Sequence, residues 1–391
     1  LRSKEKTVVM VGGGLQEIDA VKIAQEAGYK VLVTDKNENA PCFDYCDYKA
    51  VIDGRDIENL SSFILINKSK LNITGIFTLT ELVTTVAAIA EAAKLPGVSL
   101  FSAIACQNKE LSKEIWINHN IPTPMGKAVD SFEEAKELFF AYGNDIFVKP
   151  CIGFGGVNSK RIRSEDELKE YFSISNETVI VEELIDGPMH DVNGVFDKNG
   201  VFHPMGIVDR FFLETAPVER KIITPSSLNK SEQDKLYKLL ESSVRALGIN
   251  WGPVKGDAVY SDGTFKMLEV APRLHGPKNS IHLLPFSDFN CLALSLGIIN
   301  NIDINHKFAI NQDAYSVCKA WLPKPGTKFH KSMLDGVADM KGIRKVLILK
   351  EDNAVIKEYS NSTDVAAYIF SSGDNLDDCL KYLDNTNLFI D

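Results

Sequence analysis

No stretch of this chain approaches the ~18 consecutive apolar residues that a membrane-spanning helix needs. The early apolar run at 7–11 is too short for the core of a signal peptide. Cysteine is sparse and odd in number, with seven (Cys42, Cys46, Cys106, Cys151, Cys291, Cys318, Cys379) and no Cys-x-x-Cys pair or neighbouring histidine cluster. Neither a zinc site nor a disulfide framework is signalled, although Cys42 and Cys46 could pair by spacing. These absences point to a reducing, cytoplasmic setting. Positive charge is in deficit, with 43 basic against 53 acidic residues and a net charge of −10. A field of that sign does not hold a polyanion, so nucleic acid and anionic membrane are not expected partners. A local basic cluster can still hold a small anionic ligand. Internal repeats and low-complexity linkers are missing too. With 391 residues, 45% of them hydrophobic, the chain has material for two to three packed domains.

What is present first is alternation. Strands are predicted at 7–11, 30–34, 50–52 and 75–78, and helices at 18–27, 57–66 and 82–93, with Gly28 closing the first helix. That order predicts an α/β unit with a parallel sheet covered on both faces. The middle of the chain reads as α+β. Strands at 146–149, 178–182, 194–196, 256–259 and 264–270 mix with helices at 132–142 and 231–247, and a further helix is expected near 109–118. From 306 onward come short strands at 314–320 and 345–349 and a terminal helix at 376–384.

Two glycine clusters carry different weight. Gly12-Gly13-Gly14, with Asp35 ending the second strand, invites a dinucleotide reading. Glu17, however, stands where the fingerprint wants its third glycine, and a carboxylate there opposes a pyrophosphate. A tight strand-to-helix turn is the favoured reading. The second cluster is stronger: Lys149, on a strand, precedes Gly153, Gly155 and Gly156 in a loop running to Ser159. A strand lysine is a fixed cation, and glycines let backbone N–H groups close on phosphate oxygens. Because the lysine precedes the glycines, this is not a P-loop; the alternative is a plain hairpin turn.

Further along, a strand ends in Glu182-Glu183-Leu184-Ile185, which suits an adenine edge and a ribose or equally a solvated strand end. Asp257 and Glu269 fall on two runs joined by Ser261-Asp262-Gly263. If those runs form a hairpin, both carboxylates face one side and suit a hard cation such as Mg²⁺. Arg273 and His275 follow closely, which favours a phosphoryl-transfer centre over a salt-bridged surface.

These elements, in this order, resemble the ATP-grasp superfamily over nearly the whole chain. The start resembles the pre-ATP-grasp domain of carbamoyl phosphate synthetase-like members, including the run from Asp35 to Pro41. The resemblance implies a Rossmann-like pre-ATP-grasp domain at 1–105 and an ATP-grasp domain at 106–305 with a lid at about 120–187. A small β-rich α+β domain at 306–391 completes it. Lys109 then stands for the first ATP-binding lysine and Lys149 for the second, with Gly153, Gly155 and Gly156 in the loop that covers the phosphates. Glu182, Glu183, Leu184 and Ile185 correspond to the adenine-and-ribose strand and hinge. His190 falls where many members carry a ribose-binding glutamate and biotin carboxylase-like members a histidine. Asp257 and Glu269 match the acids that bind Mg²⁺ or Mn²⁺. One departure stands out: Glu-x-Asn-x-Arg is here Glu269-Val270-Ala271-Pro272-Arg273, and Ala271 cannot ligate a metal.

The resemblance implies an ATP-dependent ligase that activates a carboxylate as an acyl phosphate for attack by an amine. Arg273, Lys149, Lys221 and His275 are the implied catalytic residues, and Glu81 and Arg273 the implied substrate contacts. Small-molecule carboxylates and amines are the expected partners, with a homodimer left open. Two alternatives remain: a bicarbonate-dependent carboxylase working through carboxyphosphate, and a non-catalytic protein binding NAD or ATP. His203, His282 and His330 have no such context and read as structural.

Overall fold

Burial of β-branched residues organises the start of the chain. The computed structural model describes residues 5–153, 155–175, 177–283, 291–300 and 314–389. Strand β1 (Thr7–Val11) is buried at every position. It lies between β2 (Lys30–Asp35) and β4 (Ile73–Phe77), and β3 (Tyr48–Val51) forms an edge, giving the order β3-β2-β1-β4. All three pairings are parallel. Helix α1 (Ile18–Glu26) connects β1 to β2 and α2 (Ile57–Leu71) connects β3 to β4, the crossovers that parallel strands require, and α3 (Val83–Ala92) follows β4. Helix α2 runs past residue 66, where the apolar period fades, and stops at Asn72 in the left-handed conformation (φ 52°).

Next come α4 (Leu100–Gln107) and α5 (Lys109–Asn118). Their N-caps, Ser99 and Asn108, accept the backbone N–H groups of Ser102 and Leu111, a contribution of ~1 kcal/mol per cap. No helix is predicted at α4 from sequence, because Leu-Phe-Ser-Ala-Ile-Ala-Cys-Gln has almost no polar face to set a period.

A four-stranded antiparallel sheet follows, from β5 (Gly126–Val129), β6 (Ile146–Pro150), β7 (Lys160–Ile162) and β8 (Val179–Glu183), in the order β5-β8-β6-β7. Helices α6 (Phe132–Ala141) and α7 (Glu165–Ile174) cover it, with Phe139 and Leu168 in its core.

The third sheet has eight strands. Strands β9 (Met189–Phe196), β10 (Phe202–Phe212), β11 (Glu219–Thr224), β12 (Gly252–Ser261) and β13 (Thr264–Ala271) are joined by β14 (Tyr315–Trp321), β15 (Ile343–Ile348) and β16 (Ala367–Gly373). The order is β13-β12-β9-β10-β11-β14-β16-β15. Pairing of β11 with β14, from Lys221↔Lys319 to Thr224↔Ser316, carries one sheet into the C-terminal segment. The sequence boundary at 305/306 lies outside the described residues, as does Phe154 of the glycine loop.

Helix α8 (Lys230–Ala246) starts at a capping box of Asn229 and Glu232 and packs Leu236, Leu240 and Val244 against Val254 and Met267 of the sheet. Two further helices, α9 (Pro277–Ser280) and α10 (Cys291–Ile299), follow β13, and α10 packs against α1, β4 and β12. The chain's last helix, α11 (Leu376–Asp384), lies on β14 and β16. Among the described residues, no helix is long and apolar enough to cross a membrane.

Candidate active site

Strand alternation places polar side chains on one face of the large sheet. Asp257 on β12 is the register partner of Asp191 on β9 and of Glu269 on β13. Two residues back, Lys255 is the partner of Asn193 and of Ala271. Two rows thus lie side by side at the floor of a cleft of about 720 Å³, open to solvent. Lys109, Lys149, Gly153, Gly155, Gly156, Glu81, Arg273 and His275 line the same cleft.

The floor is densely paired. Lys255 Nζ lies 2.5 Å from Glu269 Oε1 and 3.3 Å from Asp257 Oδ2. Arg210 Nη1 lies 2.7 Å from Asp191 Oδ1 and 3.3 Å from Asp257 Oδ2. His275 Nε2 is 2.8 Å from Asp257 Oδ1 and 3.1 Å from Asp191 Oδ2, and its Nδ1 is 2.9 Å from Asn193 Oδ1. Burial alone would raise the Asp257 carboxyl, but Lys255 and Arg210 hold it well below the usual range. Glu269 is lowered too, chiefly by Lys255 working against burial. Asp191, Asp257 and His275 bring one ligand atom each within 4.8 Å of one another. Those atoms already bond one another, Arg210 and Asn279, so the trio reads as a closed polar network.

Mg²⁺ or Mn²⁺ suits part of this floor. Both carboxylates are held ionised on adjacent strands, and the Glu269 side chain is 37% exposed towards the cleft. Oxygen donors of this kind fit a hard cation.

The cleft wall comes from β6 and β8. Lys149 Nζ lies 2.6 Å from Glu182 Oε2, and Lys113 of α5 lies 2.9 Å from Glu182 Oε1. Burial would raise the Glu182 carboxyl; the two ammonium groups outweigh it and lower its pKa. Glu182 is thus a buried anchor for Lys149 and does not line the cleft itself. Glu183 accepts the backbone N–H of Met125 at 2.8 Å and pairs with Lys266 at 2.7 Å, joining the small sheet to the large one. Leu184 and Ile185 follow at the strand's end, also off the cleft lining. Gly187, just beyond, touches Tyr260: a Cβ there would stand 2.0 Å from its carbonyl oxygen.

Over the cleft, Lys109 Nζ donates to Gly153 O at 3.2 Å. Burial pulls its ammonium pKa down, and Glu269 pushes back. Gly155 O accepts from Ser362 Oγ at 3.1 Å, so the glycine loop meets the C-terminal segment. Arg273 pairs with Glu81, which projects from the loop after β4.

His190 and Lys221, also sequence candidates, face away from the cleft altogether. His190 neighbours Asp191, but alternation turns it to the opposite face. There it is 1% exposed, with Nδ1 2.8 Å from Asp209 Oδ1 and its ring edge-on to Phe265. Lys221 also points away from the cleft, with Nζ over the Phe211 ring at 4.4 Å. Its register partners Phe211 and Lys319 share that side.

The first glycine turn is packed shut. Asp35 Oδ2 accepts the Gly13 N–H at 2.8 Å and Oδ1 that of Asn37 at 2.9 Å, so the carboxylate that a ribose would need is engaged. A Cβ on Gly13 would stand 2.8 Å from Val33, and burial pushes the Glu17 carboxyl up to about 7. This geometry favours the tight-turn reading over a dinucleotide site.

Sequence reasoning missed Asp191, Arg210, Lys255, Glu219 and Lys278. An available signal was the i, i+2 spacing of Asp191 with Asn193 and of Lys255 with Asp257 on strand-like runs. Arg210 and Lys278 both pair with Glu219, and Lys278 lies 4.4 Å from the Tyr368 ring centroid. Burial would raise Glu219; Arg210 and Lys278 instead lower it from 4.5 to about 2. Because the folded pKa lies below the unfolded one, this stabilisation is present above pH 4.5 and fades as the pH falls towards 2. Wild type should therefore melt above Glu219→Gln at neutral pH, with the gap narrowing across that window. A gap independent of pH would contradict the pairing.

Two antiparallel sheets flank a cleft with Lys149 on its wall and carboxylates on its floor, and within this segment residues 144–280 match the ATP-grasp domain family. That match runs from β6 to α9. A D-alanine–D-alanine ligase of Francisella philomiragia is 24% identical over 277 residues, 68% of this chain and 87% of that protein. An uncharacterized protein of Sinorhizobium fredii is 24% identical over 205 residues, 49% of this chain, which spans only 41% of that relative's length. The crystal structure of an L-amino acid ligase from Bacillus licheniformis superposes with a TM-score of 0.85 and 20% identity over 98% of each chain. That likeness is one of fold.

Proposed function

We propose that the chain is an ATP-dependent, ADP-forming carboxylate–amine ligase. The observation that carries this reading is the convergence of Lys109, Lys149, the glycine loop, Asp257, Glu269 and Arg273 on one cleft. The ligase names of the D-alanine–D-alanine and L-amino acid enzymes support it.

A carboxylate is a poor electrophile, because its charge is delocalised and its oxygen leaves badly. Transfer of the ATP γ-phosphoryl group to a carboxylate oxygen breaks the bond to the β-phosphate and leaves ADP. The amine nitrogen then attacks the acyl carbon, phosphate departs, and the new amide nitrogen gives up its proton. Lys149, held in place by Glu182, and Lys109 supply fixed positive charge to the phosphates. Backbone N–H groups at Gly153, Gly155 and Gly156 can close on phosphate oxygens and keep water from the acyl phosphate. Asp257 and Glu269 would hold Mg²⁺, whose chemistry is to neutralise phosphate charge during transfer. Arg273 and Glu81, paired at the far end, suit a substrate carrying both a carboxylate and an amino group, and His275 orients Asp257.

The test is an ADP-release screen of carboxylates crossed with amines at saturating ATP and Mg²⁺. ADP formed only with an acid–amine pair is the expected result. Bicarbonate-dependent ADP release without amine would instead mark a carboxylase, and tight nucleotide binding with no turnover a binding protein. The loop assignment has its own check. Proteolysis within 153–159 should slow on adding an ATP analogue with Mg²⁺, because phosphate oxygens would add partners for the N–H groups of Gly153, Gly155 and Gly156. Equal cleavage rates would contradict it.

A further inference from the structure

Ala271 stands where the resemblance implies a side-chain oxygen for a metal, and its register partner across β12 and β13 is Lys255. The Lys255 side chain is 5% exposed, and its ammonium sits between the two metal-binding acids, 2.5 Å from Glu269 Oε1 and 3.3 Å from Asp257 Oδ2. Resting on the ligase reading above, we propose that Lys255 is a built-in cation standing where a second divalent ion would sit beside Glu269 and position 271, so that the chain uses one metal ion per bound nucleotide.

Three observations support this together. The space beside Glu269 and Ala271 already holds a positive charge, and a second divalent ion there would face that ammonium at close range in a partly desolvated site. Both oxygens of Asp257 are engaged, Oδ1 with His275 Nε2 at 2.8 Å and Oδ2 with Lys255 and with Arg210 Nη1 at 3.3 Å. Position 271 offers no oxygen, so a second ion would gain no side-chain ligand there. An ammonium needs none of this completion. It carries three donors; the two acids take two, and the third remains for a phosphoryl oxygen. The small Ala271 and the long Lys255 are therefore complementary halves of one arrangement: the methyl group leaves room, and the lysine across the ladder fills it with charge.

The experiment counts bound Mn²⁺ by electron paramagnetic resonance in the full chain with the β,γ-imido analogue of ATP. Wild type should hold one Mn²⁺ per chain in the presence of the analogue. The double variant Lys255→Met/Ala271→Asn, which removes the ammonium and supplies an oxygen, should hold two, whereas Lys255→Arg should still hold one. Two ions in wild type would overturn the proposal, and so would one ion in a folded double variant. The wild-type count stands as a test even where the double variant fails to fold. Failure of the ligase reading would look different: no nucleotide-dependent Mn²⁺ binding in wild type.

Discussion

Glu269→Gln should abolish turnover, with a loss of at least about 10³-fold, the scale seen when a single electrostatic contact to the transition state is removed. The substitution is nearly isosteric, so its effect is on charge. Of the two acids proposed to hold the metal, Glu269 is the more open, 37% exposed against 14% for Asp257, and the one that Lys255 approaches most closely. Removing its charge strips the proposed metal of its most accessible anionic ligand and leaves the buried Lys255 ammonium with Asp257 alone. The measurement is ADP release against Mg²⁺ and Mn²⁺ concentration for wild type, Glu269→Gln and Ala271→Asn. Ala271→Asn should change metal preference or affinity only modestly. A fully active Glu269→Gln protein would sink the metal assignment and the phosphoryl-transfer reading with it.

Lys149→Ala comes second in size, and it has two effects that can be separated. Turnover should fall by about 10²- to 10³-fold, because a fixed cation facing the phosphates is lost. Stability should also fall, because Glu182 is a buried carboxylate held by Lys149 at 2.6 Å and Lys113 at 2.9 Å. Breaking one arm of a buried pair costs up to about 3 kcal/mol, moderated here by the surviving lysine. Adding Glu182→Gln relieves the uncompensated charge, so the double variant should regain thermal stability and stay inactive. Recovery of activity along with stability would mean that Lys149 acts through the fold alone. Lys109→Ala should weaken nucleotide binding without this stability cost, since among the described residues its Nζ donates only to the Gly153 carbonyl.

The particular elements show what could be read in advance. Helices α5 and α11 have the bounds that their periodicity and caps predict, because Asn108 and Asn375 close hydrogen bonds within one turn of their own positions. The parallel first sheet was legible for a similar reason: strand–helix alternation is a local pattern with few global solutions. Strand β10 was not. Pro204 and Gly206 interrupt its alternation, and the chain is accommodated by a register shift between them that only the partner strand β9 reveals.

The same division runs through the site. Sequence by itself determined which residue types were present and in what order: two lysines, a glycine loop, two acids, an arginine and a histidine. Tertiary structure decided which of them meet. A shift of one residue along β9 separates Asp191, which faces the cleft, from His190, which is buried against Asp209 and Phe265. Lys255 and Ala271 lie on the two arms of one hairpin and become partners only through the β12–β13 register. Lys113 and Lys149 share Glu182 because α5 packs beside the small sheet. Side-chain chemistry is a property of each residue and is visible in one dimension. Facing, register and shared partners depend on contacts between distant segments, so they exist only once the sheets have formed.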